Sequence, residues 1–99
     1  MAKNYYKVRA AVWVYHGPSA WHFVNVDAKT SAKIKELHSK KRRGFGSVPV
    51  EVTIGKTTWK TSIFPDKQSG TYLLPLKSSV RIKEGIFDKD VITFSFCVK

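Results

Sequence analysis

Val48-Pro49-Val50-Glu51-Val52-Thr53-Ile54-Gly55-Lys56-Thr57-Thr58-Trp59 decides the fold class of this chain. Val48, Val50, Val52 and Ile54 alternate with Pro49, Glu51 and Thr53. That period of two puts one apolar face on an extended strand. Gly55-Lys56 is a two-residue connection whose first position is Gly, as a type II′ hairpin turn prefers, so Thr57 to Phe64 returns as a partner strand. A β-hairpin is therefore at the centre of the chain.

The same alternation appears on both sides of it. Tyr6, Val8, Ala10, Val12 and Val14 alternate with Tyr5, Lys7, Arg9, Ala11, Trp13 and Tyr15, which predicts one long strand broken at His16-Gly17-Pro18-Ser19. Trp21 to Val26 is a second strand. Asp27 offers a carboxylate to the first turn of a helix from Ala28 to about His38, with Ser31, Ile34 and Leu37 or His38 on one side. After the Pro65–Gly70 loop, Thr71 to Leu76 reads as a strand. Ser78 or Ser79 caps a second short helix, and Gly85 suits its C-terminal left-handed position. Asp88-Lys89-Asp90 turns the chain into a last strand, Val91 to Val98. Six strands and two short helices predict a mainly β fold, a small closed or partly open barrel that hides sheet edges.

Two stretches resemble each other at an offset of 48 residues: Ser31-Ala32-Lys33-Ile34-Lys35-Glu36 and Ser79-Val80-Arg81-Ile82-Lys83-Glu84. Each follows a strand and precedes another. This predicts two strand–helix–strand halves about a pseudo-twofold axis, in one domain spanning residues 1–99.

The chain has 99 residues with 18 Lys and Arg against 7 Asp and Glu, a net charge of +11. A field of that sign attracts polyanions; the plain alternative is a well-solvated surface. From Lys29 to Arg43 seven basic residues face one acidic residue. Lys40, Lys41, Arg42 and Arg43 lie in a Gly-containing loop where Phe45 could stack on a base. Lys77 and Arg81 complete the candidate nucleic-acid-binding set. A separate candidate is a ligand pocket formed by Trp21, His22, Trp59 and Arg81, for a small molecule or a protein segment. Spacing alone does not bring those four together.

Catalysis needs converging groups of tuned acidity, and none is legible. His16, His22 and His38 share no metal-ligand spacing with Cys97. Cys97, two residues from Ser95 on the last strand, reads as a small core residue. Thr61 and Ser62 lack a nucleophile-elbow context, and Gly44-Phe45-Gly46 lacks the ending of a phosphate-binding loop. The expectation is a binding module that is not an enzyme, with no cofactor and no metal. The absence of a signal-like start, of a membrane-length apolar run and of a second cysteine predicts a cytoplasmic protein that does not engage membranes.

Trp21-His22, Val50-Glu51-Val52-Thr53-Ile54-Gly55, Thr61-Ser62-Ile63-Phe64-Pro65, Tyr72-Leu73-Leu74-Pro75-Leu76-Lys77, Val80-Arg81 and Gly85-Ile86 occur in that order. The series resembles a bacterial family, domain of unknown function nineteen-oh-five, across nearly the whole chain. It departs at Lys89-Asp90, where the family usually has Gly-Asp, which puts a left-handed turn there in question. Members also occur beside domains linked to bacteriocin protection, and no activity follows from the resemblance. The C-terminal segment is also similar to half of the AbrB and MazE group of DNA-binding proteins. That similarity implies a double-split β-barrel, which two intertwined chains complete in that group. Here the internal repeat would let one chain supply both halves, so a monomer is expected.

Overall fold

The hairpin about Gly55-Lys56 forms as the alternation requires. In the computed structural model, which describes residues 5–39 and 46–99 (backbone only at 38 and 39), β4 (Val48–Ile54) and β5 (Thr57–Asp66) pair in the register Ile54↔Thr57 through Val48↔Ile63. Gly55 takes φ +57 at the turn, a value that glycine adopts without strain. The other elements are β1 (Tyr5–Ala11), β2 (Trp13–Tyr15), β3 (Trp21–Asn25), α1 (Ala28–Ser39), β6 (Thr71–Pro75), α2 (Ser78–Glu84) and β7 (Val91–Val98). All seven strands join one antiparallel sheet in the order β1-β7-β4-β5-β6-β3-β2, curled into a half-barrel.

Seven strands replace the expected six because the first run is divided at Val12. Its N–H donates to the Asp90 carbonyl and its carbonyl accepts from the Lys89 N–H, both at 2.8 Å. The chain thereby leaves β7, which β1 pairs along its length, and continues as β2 beside β3 at the far end of the ladder. Lys89 holds φ 74 in this turn, so the left-handed geometry survives with Lys where Gly would be easier. Asp90 steadies it, its carboxylate accepting the Phe87 N–H at 2.8 Å.

The inward residues of β1 and β3 to β7 meet in one core. Val8, Val24, Val50, Val52, Ile63, Leu74, Phe94 and Phe96 are buried, and Ile34 of α1, Val80 of α2 and Ile86 close over them. Each such side chain contributes about 1.5–3 kcal/mol by leaving water. Asp27 caps α1, accepting the Thr30 N–H at 3.0 Å. Partial burial is the largest single influence and works to raise its pKa, but hydrogen bonds from Thr30 and its own backbone, with Lys29 nearby, together hold the carboxyl below its ordinary range. The cap therefore stabilises fully above that range and loses its effect as pH falls through the lowered value.

Three expectations about the helices are corrected. Ser78 and Ser79 do not cap α2; Lys77 holds the N-cap position with no side-chain bond, because the helix already begins at Ser78. Gly85 does occupy the left-handed C-terminal position, at φ 63. Leu37 is exposed, leaving Ser31 and Ile34 as the buried residues of α1 among those whose side chains are described.

The third correction concerns the repeat. Alignment at 48 sets Ile34 against Ile82, yet Ile34 is fully buried and Ile82 is 79% exposed. Backbone bonds between the two strand ends fall at a spacing of 50 instead. Val26 N–H donates to the Tyr72 carbonyl and Leu76 N–H to the His22 carbonyl, both at 2.9 Å. Ser31 Oγ and Arg81 Nε, again 50 apart, reach back to the carbonyls of Val26 and Leu76, both at 3.1 Å. Ile34→Ala is accordingly expected to remove about 2–5 kcal/mol of stability, and Ile82→Ala less than about 0.5 kcal/mol. Urea denaturation of the two variants measures this; equal losses would restore the register of 48.

Candidate functional site

Strand alternation assigns the candidates to two sides of one sheet. On β3, Trp21, Phe23 and Asn25 point outward, and His22 and Val24 point toward the core. The register sets Tyr15 opposite Trp21, Trp13 opposite Phe23, and Phe23 opposite Pro75; Leu73 sits between Asn25 and Phe64. The outer side of β2, β3, β6 and β5 is thus a row of rings and aliphatic groups. Trp13 and Phe23 have ring centroids 5.2 Å apart, and Trp21 stacks on Phe23 at 6.1 Å with planes 11° apart. Trp21, Tyr15 and Phe64 are 54%, 58% and 46% exposed.

Polar groups hold this row in place. The indole N–H of Trp13 donates to Asn25 Oδ1 at 2.6 Å, and the Asn25 amide donates to Thr71 Oγ1 at 2.9 Å. Ser69 and Asp66 extend the network, with Ser69 Oγ donating to the Asp66 carboxylate at 2.7 Å. That bond holds the Asp66 carboxyl below its ordinary range. At the other end, Leu76 bonds the His22 carbonyl and the next residue, Lys77, keeps extended backbone at φ −71, ψ 155. Continued alternation brings Lys77, which is exposed, to the side of the sheet that carries Trp21.

His22 and Arg81 meet on the opposite side. Arg81 donates through Nε to the Leu76 carbonyl at 3.1 Å and brings Nη1 to 3.5 Å from His22 Nε2; His22 Nδ1 lies 3.0 Å from the Ala20 carbonyl. Helix α2 is held there at its far end as well, where Thr57 donates to Glu84 Oε2 at 2.6 Å. So the structure brings Trp21, His22, Lys77 and Arg81 to one end of the β3–β6 pair. It does not present Trp59 with them. That ring belongs to the core on the inner side of β5, opposite Val52.

Lys40, Lys41, Arg42, Arg43 and Phe45 lie outside the described residues, as does the His38 side chain. Cys97 is a buried free thiol. Among the described residues no group of three His, Cys, Asp or Glu is placed to hold a metal ion, and no helix is long and apolar enough to cross a membrane. Trp13, Tyr15, Phe23 and Phe64 did not stand out as site residues in the sequence. The signal was present in the odd-numbered aromatics of two strands that face each other, but it carries meaning only once Tyr15 is known to pair with Trp21.

A family model described as Domain of unknown function (DUF1905) matches residues 9–96, and the chain belongs to that family. No curated protein matches it.

Arg81 donates to the Leu76 carbonyl while another arm of its guanidinium reaches His22, a forked geometry that a lysine ammonium does not reproduce. Arg81→Ala is expected to lower stability by about 1–3 kcal/mol, with Arg81→Lys recovering little of it. Chemical denaturation checks both; an unchanged midpoint for Arg81→Ala would reduce the pair to a surface contact.

Proposed function

We propose that this member of the DUF1905 family is a non-catalytic module that binds nucleic acid or another polyanion. The observation that carries this reading is the end of the β3–β6 pair, where exposed Trp21 and cationic Lys77 share one side of the sheet and Arg81 lies beneath. They stand in a chain of net charge +11. Cations gain affinity for a phosphate backbone by releasing its condensed counterions. Lys40 to Arg43 add four charges by sequence.

The likeness of the C-terminal segment to the AbrB and MazE halves supports the same reading. So does a finer account of the fold: a double-split barrel whose two strand–helix–strand halves cross at β3 and β6, related by the spacing of 50, and complete in one chain as a monomer. A second reading, an anionic small ligand or a peptide carboxylate, is favoured by the approach of the Arg81 guanidinium to His22.

Titration of labelled DNA at about 50 and 200 mM salt tests the first reading. Affinity is expected to fall steeply between the two. Replacing Lys40 through Arg43 by Ala is expected to flatten the dependence, by roughly one unit of slope for each phosphate that is no longer neutralised. Absence of binding at the lower salt would overturn it.

A further inference from the structure

We infer that the outer side of β2 and β3 is a stacking platform for the unpaired bases of single-stranded nucleic acid. This rests on the reading above and names the form of nucleic acid and the site. Tyr15, Trp21, Phe23 and Trp13 occupy adjoining positions on two rungs of the sheet. Trp21 lies nearly parallel to Phe23, with half its surface in water. Large rings left open in a contiguous row mark a binding surface. The row is also ordered in advance: Asn25 ties Trp13 to Thr71, and Phe23 is packed between Trp13 and Trp21. A ligand that stacks there meets rings whose freedom has already been lost on folding.

The occupant follows from chemistry. A nucleotide joins a flat π-face to a negative phosphate, and this surface joins rings to a lysine. Base–aromatic stacking contributes about 1–3 kcal/mol per base. A duplex keeps its base faces inside its own stack, so its phosphates reach Lys77 while its bases cannot reach Trp21. A second copy of the chain would bring another charge of +11 to the same face, and like fields of that size oppose association. Phe64 and Leu73 continue the apolar row onto β5 and β6, giving the strand a path across the sheet.

The test is fluorescence anisotropy with a labelled oligothymidylate of about a dozen nucleotides, within the span of known single-strand sites, and a duplex of equal length. Wild type is expected to prefer the single strand. Trp21→Ala should weaken single-strand binding about tenfold and leave duplex binding unchanged, while Trp21→Phe keeps most of the affinity. Trp21 is exposed, and circular dichroism confirms that each variant folds. Three outcomes overturn the platform alone: a Trp21→Ala variant that binds the single strand as wild type does, a wild-type preference for duplex, or a micromolar dimer that Trp21→Ala dissociates. Absence of binding to either probe at low salt overturns the proposed function as well.

Discussion

Val12 gives both of its backbone groups to the turn at Lys89 and Asp90, and the rest of the architecture depends on that exchange. Before it, the chain is the edge strand beside β7; after it, the chain is the edge strand beside β3. One continuous run of residues thus serves both ends of the ladder, which forces the sheet to curl. The switch does not disturb the alternation. Val8 and Val12 point to the core, Val14 follows on the same side, and Arg9, Ala11, Trp13 and Tyr15 keep to the other. Trp13 and Tyr15 are thereby delivered to the outer side of β3. The exposed aromatic row and the curl of the sheet are consequences of one corner.

That unbroken parity explains what the sequence could and could not disclose. Periodicity reports which side a residue faces, so the core positions of β4, β6 and β7 were legible, as was the hairpin at Gly55-Lys56. Periodicity says nothing about the neighbour a strand chooses. The division at Val12 was invisible because the buried residues continue across it in step, and so the facing of Tyr15 and Trp21 was invisible too. The candidate pocket loses Trp59 on the same ground of periodicity: the hairpin register sets it opposite inward-facing Val52, and burial makes it a core ring. Arg81 and His22, two of the four pocket candidates, do approach each other.

The repeat shows how likeness of letters and likeness of place come apart. Matching Ser and Ile at a spacing of 48 aligns buried Ser31 and Ile34 with exposed Ser79 and Ile82. The equivalence at 50 is made by unlike residues. Ser31 and Arg81 each bond the carbonyl at the end of their own preceding strand, then reach the opposite strand: Ser31 accepts the Tyr72 N–H at 3.0 Å, and Arg81 approaches His22. One task, tying a helix to both strands of the crossing, is done by a hydroxyl in one half and a guanidinium in the other. The hydroxyl is buried and neutral; the guanidinium is long enough to remain part-exposed with its charge hydrated. The two helix-to-strand ties therefore differ in charge.

This difference bears on what the molecule can distinguish. A charge of +11 spread over a small surface attracts every polyanion, and attraction of that kind falls with salt in the same way for each. Discrimination has to come from groups that sense something besides phosphate. In the proposed platform, the rings fixed at one end of the β3–β6 pair read a planar, apolar face beside Lys77 on the same side of the sheet. Lys77 shares that side by the alternation of the backbone, and Arg81 marks the same end of the pair from the opposite side of the sheet.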